Sequence, residues 1–207
     1  MMSETGRPLR SGVLGRISLL ALIVLALAAC GSKSEAQLAS DALNSGLQAQ
    51  TAGKLDQAAT DYKECLKHDT LNKFCLYDLG TVAQAQNSPV AAENDYRLAL
   101  VSDPNYAPAL YNLATLRAAA GAPLEAITLY RQYVKLQPND AAGHFNLGLL
   151  LNQTGNTTEG ASEIAKALKL DPTLSSRLPS PSPVPSASPS PSPTATPSGP
   201  SAKPTAS

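Results

Sequence analysis

Between residues 39 and 174, apolar positions return at helical spacing and, on a longer scale, at a constant 34-residue step. In the stretch Ala107 to Asp140, Leu110, Leu113, Ala114 and Arg117 follow i, i+3, i+4, i+7, so one side of a helix is mostly apolar. Gly121-Ala122-Pro123 interrupts the pattern, a second amphipathic run follows, and Gln137-Pro138-Asn139 closes it. The pattern predicts two short antiparallel helices, and the rest of the array repeats that pair. Tyr62, Tyr96 and Tyr130 stand one step apart, with Ile164 continuing the series. Ala58, Ala92, Ala126 and Gly160 keep the same step, as do Gly46, Gly80, Ala114 and Gly148. Asp103-Pro104, Gln137-Pro138 and Asp171-Pro172 recur in register, with Asp69-Thr70 as a weaker first copy. The units are 39–72, 73–106, 107–140 and 141–174, without insertion or deletion.

Each recurring residue type has a physical role. The small residues of the two Gly/Ala series let paired helices approach closely, and the recurring tyrosine fills the space between neighbouring units. Pro89 and Pro123 fall near the first position of their helices, where a missing N–H costs nothing. Pro104, Pro138 and Pro172 stop the second helices, because the residue before proline is pushed out of the helical region. The end units depart from the pattern. The first has Ser45 where the others have Leu79, Leu113 and Leu147, and Gly160 and Ile164 weaken the last second helix. These units are expected to be the least stable of an array in which each unit touches only its neighbours.

The 34-residue step, with these residues in register, resembles the tetratricopeptide repeat, and the resemblance covers all of 39–174 in the 207-residue chain. It implies an all-α fold, a right-handed α-solenoid of four helix-turn-helix repeats. Its concave groove would be lined mainly by the first helix of each unit. By that resemblance the groove carries Asn44, Asp78, Asn112 and Asn146, and beside them Leu43, Tyr77, Tyr111 and Phe145. Asparagine offers both a donor and an acceptor to an extended backbone, and a neighbouring aromatic adds apolar contact area at low entropy cost. The combination suits an extended protein segment; the competing view is that the asparagines are merely solvated and the aromatics pack internally. Family members that clamp a C-terminal carboxylate use Lys and Arg in this groove. Here the row holds Leu43, Tyr77, Tyr111 and Phe145, with Thr81 and Thr115 a turn later, so no such clamp is expected.

Both ends differ in composition. Arg7, Arg10 and Arg16 lead a nearly pure apolar run, Ile17 to Ala29, interrupted only by Ser18. That is short of the ~20 residues needed to span a bilayer and suits the apolar part of a secretory signal. The run ends Leu27-Ala28-Ala29-Cys30-Gly31, which resembles the lipobox of bacterial lipoproteins. The resemblance implies a cleaved signal peptide, 1–29, and a mature chain beginning at Cys30, its thiol carrying diacylglycerol with palmitate-like acyl chains. Several chains at one site anchor stably, at ~0.8 kcal/mol per buried CH2. The alternatives are an uncleaved signal anchor, or an ordinary signal with a chance cysteine. No Asp follows Cys30, so no inner-membrane retention signal of the Gram-negative kind is expected. Residues 30–38 would be anchor and short tether, placing the folded part at the extracytoplasmic face of a bacterial cell membrane.

Charge and candidate chemistry narrow the function classes. Basic and acidic residues are equal in number, and no Lys/Arg block occurs, so a nucleic-acid partner is not expected. His68 and His144 lie in different units, without a second His or Cys at ligand spacing, so no metal or cofactor is expected. No nucleophile motif, acid–base pair or Gly-rich phosphate loop stands out, and the chain does not read as an enzyme. Cys65 lies late on the second helix of unit one and Cys75 early on the first helix of unit two. Export would permit oxidation, leaving two readings: a disulfide that fastens unit one to unit two, or two small buried thiols.

The carboxyl-terminal stretch, 175–207, is dominated by Pro and Ser. From Pro179 onward proline recurs at every second to fourth position, so the stretch cannot bury a core and is expected to be disordered with polyproline II bias. Only Thr173 to Leu178 precede the prolines, too little for an extra capping helix. The apolar face of the last unit, including Leu168, is therefore expected to be poorly covered and open to self-association or a partner. The favoured function is a membrane-anchored extracytoplasmic protein–protein interaction scaffold that binds an extended segment in its groove, in cell-envelope assembly. The alternative is a lipid-anchored spacer whose Pro-rich tail engages the cell wall while the repeats self-associate.

Overall fold

The computed structural model describes residues 33–178. The signal segment, Cys30 and the Pro-rich tail beyond Leu178 lie outside the described residues. Within them the chain forms eight α-helices: α1 (Glu35–Thr51), α2 (Leu55–His68), α3 (Lys73–Ala85), α4 (Pro89–Ser102), α5 (Ala107–Ala119), α6 (Pro123–Leu136), α7 (Ala141–Gln153) and α8 (Thr157–Leu170). A 3-10 helix, Pro172–Arg177, follows, and no strand occurs among the described residues. The helices pair as hairpins, α1 with α2 through α7 with α8, and each second helix packs on the first helix of the next unit.

Local chemistry sets the boundaries. Ser34 caps α1 by accepting from the Gln37 amide, Asn72 caps α3 by accepting from Phe74 and Cys75, and Asp140 caps α7 by accepting from Gly143. α4 and α6 open on Pro89 and Pro123. The hairpin turn of every unit carries one left-handed residue in register: Gly53 (φ 72°), Asn87 (φ 55°), Gly121 (φ 76°) and Gly155 (φ 88°). Asparagine is the side chain that tolerates this conformation best, so unit two keeps the turn without glycine.

Tyr62, Tyr96 and Tyr130 are buried in successive units. Burial of a side chain this size contributes ~2–3 kcal/mol. A Cβ on Gly46 would lie 2.5 Å from the Tyr62 ring, and one on Gly80 2.7 Å from that of Tyr96, so glycine is what admits the phenol. In the last unit Gly148 faces Gly160 instead. A Cβ on either would come within 2.8 Å of the other's carbonyl oxygen, so α7 and α8 meet backbone to backbone. Gly160 thus permits the tight contact of the unit it was expected to weaken.

One pair of positions shows how the array trades volume between units. Cys65 and Cys75 are joined by a disulfide, with Cα atoms 6.4 Å apart. One step on, the same places hold buried Ala99 and Ala109. Two steps on, they hold Tyr133 and Gly143, where a Cβ on the glycine would lie 2.5 Å from the Tyr133 ring. Ion pairs cross the same boundaries: Arg97 meets Glu125, and one step later Arg131 meets Glu159. Being half-exposed, each contributes at most about 1 kcal/mol.

Both ends of the array differ from expectation. α1 begins at Glu35, inside the stretch 30–38 read as a tether, because the Ser34 cap starts the helix early. At the other end the 3-10 helix extends past residue 174, so residues 175–178 belong to the folded unit rather than to the tail. Leu174 and Leu178 pack with Phe145, Ala167 and Leu168. The apolar face expected to be bare is thus covered by one short turn, which removes the reason to expect self-association through Leu168.

Candidate functional site

The candidate groove residues lie on the first helices, and the structure divides them into three groups. Asn44 is exposed on α1. Tyr77, Asp78, Tyr111, Asn112 and Asn146 are half-buried in a row along α3, α5 and α7. Phe145 does not belong with them: it is 1% exposed, under Leu174, with the Arg177 guanidinium over its ring. The register places it in the groove, but the 3-10 turn roofs the last unit there and makes it core.

Asn112 and Asn146 are not free groups. The Asn112 amide donates to the hydroxyls of Tyr77 and Tyr96, each at 3.2 Å. Asn146 does the same one step later, to Tyr111 at 2.9 Å and Tyr130 at 3.4 Å. Each amide therefore ties together both helices of the preceding unit. What remains toward solvent is the amide oxygen as acceptor and the Tyr77 and Tyr111 hydroxyl protons as donors. Asp78 occupies the equivalent position one step earlier, where Leu43 replaces the first-helix tyrosine of the preceding unit, and burial pushes its carboxyl up to about 6. Burial, with the Asp78 charge second, likewise raises Tyr106 to about 12.

Tyr77, Tyr111 and Asn112 line a shallow depression of about 290 Å³, together with Pro108, Tyr133 and Gln137. Tyr133 packs on Tyr111 with ring centroids 5.1 Å apart, and its hydroxyl donates to Asp140 at 2.8 Å. Sequence reasoning passed over Tyr133. Its signal is a break in the step, since Ala99 and Ala167 stand at the equivalent places.

The two histidines are structural. His68, at the end of α2, meets Glu35 and Glu64, and Glu35 above all holds its pKa above the ordinary value. His144 is buried against Glu163. No group of three His, Cys, Asp or Glu that could hold a metal occurs among the described residues. Among them, too, no helix is long and apolar enough to cross a membrane.

The tetratricopeptide repeat family model matches residues 77–141 and again 111–175. No curated protein sequence matches the chain. Among solved structures, MamA is similar at 22% identity over 67% of this chain and 81% of its own, with TM-score 0.60. YrrB, described as a TPR protein with an unusual peptide-binding site, is similar at 23% identity over 63% of this chain and 68% of its own, with TM-score 0.60. PilF of Pseudomonas aeruginosa is similar at 24% identity over 68% of this chain and 64% of its own, with TM-score 0.58. With eight helices paired in sequence order and these likenesses in fold, the described residues form an α-solenoid of four helix-turn-helix units with the fold of tetratricopeptide-repeat proteins.

Proposed function

We propose that the chain is a protein–protein interaction scaffold that binds an extended segment of another protein along the first-helix face, centred on Tyr111. The carrying observation is the row of half-buried tyrosines and asparagines in one register, each tyrosine fixed by an amide from the next unit. Preorganised aromatics with unsatisfied hydroxyl protons and amide oxygens suit a backbone that needs both partners at regular intervals. The description of YrrB as a repeat protein with a peptide-binding site supports this reading by analogy of fold. The lack of Lys or Arg in the row argues for a backbone-reading site rather than a carboxylate clamp. Cys30, with the apolar run before it, would hold the scaffold through lipid at the extracytoplasmic face of a bacterial membrane, in cell-envelope assembly.

Photo-crosslinking in cells from position 108, at the edge of the depression, tests the binding role. Capture of a discrete polypeptide, abolished by Tyr77→Ala/Tyr111→Ala in a chain of unchanged helicity, is the expected result. Capture that persists in that variant would sink the assignment of the face. Cys30→Ala tests the anchor separately: the chain should leave the membrane fraction, and retention there would rule out anchoring through that thiol.

A further inference from the structure

A cleft of about 670 Å³ opens between α6 and α8 and shares no lining residue with the depression at Tyr111. Val134, Leu147 and Leu170 give it apolar walls, and the buried His144–Glu163 pair lies among its lining residues.

The cleft exists because the last unit departs from the one before it. Between α4 and α6, Leu110 and Leu129 stand where His144 and Glu163 stand between α6 and α8. Leu110 is buried there, and Leu129 packs into the cores on both sides. Gln132, the counterpart of Lys166, donates to the Pro104 carbonyl at 2.7 Å and to Asn105 Oδ1 at 3.3 Å, tying α6 to the turn after α4. In the last unit Lys166 turns instead to Glu163, at 2.7 Å. The Pro138 carbonyl, counterpart of that of Pro104, is met at 3.0 Å by His144 Nε2. Lys166 therefore leaves that carbonyl to α7, and the gap stays open.

The charge around the cleft is uneven. Glu159 is engaged by Arg131, and Glu163 by His144 and Lys166. Lys135 and Lys169, also lining it, are in no ion pair among the described residues. We propose that this cleft binds an anionic amphiphile, its apolar chain against Val134, Leu147 and Leu170 and its carboxylate or phosphate head between Lys135 and Lys169. The volume falls in the range of small-ligand clefts, and apolar walls with a few converging polar groups are their usual chemistry. The cleft is confined to one inter-unit gap, since Gln132 closes the preceding one, so it offers no continuous track for an extended polypeptide.

Titration calorimetry of the full chain tests this with decanoate, decyl phosphate and decanol, each below its micelle concentration. At least one anion should bind, with decanol at least tenfold weaker, and the two anions distinguish a carboxylate from a phosphate head. Lys135→Gln/Lys169→Gln should weaken the anion at least tenfold. His144→Leu/Glu163→Leu/Lys166→Gln, which copies the preceding gap, should abolish binding with the far-UV circular dichroism unchanged. If that variant fails to fold, the lysine variant decides alone. Absence of binding at about 1 mM, a dissociation constant worth only ~4 kcal/mol, would overturn the proposal. So would equal binding of decanol, indifference to the lysines, or tighter binding of an acidic decapeptide.

Discussion

The side-chain amide of Asn112 reaches back across a unit boundary to the Tyr77 hydroxyl, 3.2 Å away, and holds the Tyr96 hydroxyl at the same time. A residue of unit three thus clasps both helices of unit two. Asn112→Ala should destabilise the array by about 1–2 kcal/mol in urea unfolding, because the hydroxyls of half-buried Tyr77 and buried Tyr96 each lose a partner. Tyr77→Phe, which leaves the Tyr96 contact intact, should cost less. A double-mutant cycle on the two should show non-additivity of at least about 0.5 kcal/mol; strict additivity would mean that the contact carries no energy.

Asp78 replaces asparagine in this series, and its burial sets a pH dependence. The folded state holds the Asp78 proton up to about 6, and that of Asp95 likewise, burial being the main cause in both. An acid with a raised folded pKa is a source of stability only while protonated. Stability should therefore fall as pH rises from about 4 through 6. Asp103 and Glu159 act oppositely: ion pairs with Lys73 and Arg131 lower their pKa values, and that contribution is lost only as pH falls below about 4. The chain should melt at a higher temperature at pH 5 than at pH 7. Asp78→Asn should raise stability at pH 7 by about 1 kcal/mol, allowing for solvent screening, and reduce the difference between the two pH values. An unchanged difference would remove Asp78 from the account.

Phe145 and Tyr111 stand one step apart in the same register, yet one is sealed and the other half-exposed. Phe145→Ala should destabilise by about 3–5 kcal/mol, as for other buried aromatics, and Tyr111→Ala by clearly less. Equal losses in denaturant unfolding would return Phe145 to the open face.

The disulfide between Cys65 and Cys75 closes a short loop across the first unit boundary. Reduction should cost about 2–3 kcal/mol by the loop-entropy account, and the loss should appear first as opening of α1 and α2 in hydrogen exchange. Thiol titration of the unreduced, unfolded chain should find none at these two positions. Two reactive thiols there would exclude the bridge.

The fold was legible because its periodicity is long and strict. Tyr62 against Gly46, and Tyr96 against Gly80, are size-complementary pairs that recur in register, so the packing rule can be read without coordinates. The ends and the functional faces were less legible. Periodicity placed Asn112 and Asn146 on the first-helix face, but it does not say that a tyrosine hydroxyl of the preceding unit lies within reach. Phe145 was assigned by register to the groove, whereas Leu174, on the 3-10 turn beyond the helix pair of the last unit, covers it. The α6–α8 cleft depends on Lys166 turning to Glu163 where Gln132 crosses a gap, a difference of side-chain direction. Such differences are invisible to a pattern of apolar positions.

The Asn–Tyr clasp also sets the last described unit apart from the two before it. Tyr77 and Tyr111 each carry a phenolic oxygen that a following unit supplies with an amide. At Phe145 no further unit follows among the described residues; the ring has no oxygen, and Leu174 lies on it. A single atom thus separates two kinds of surface: the phenol accepts an amide from the next unit, and the bare phenyl ring takes an apolar lid.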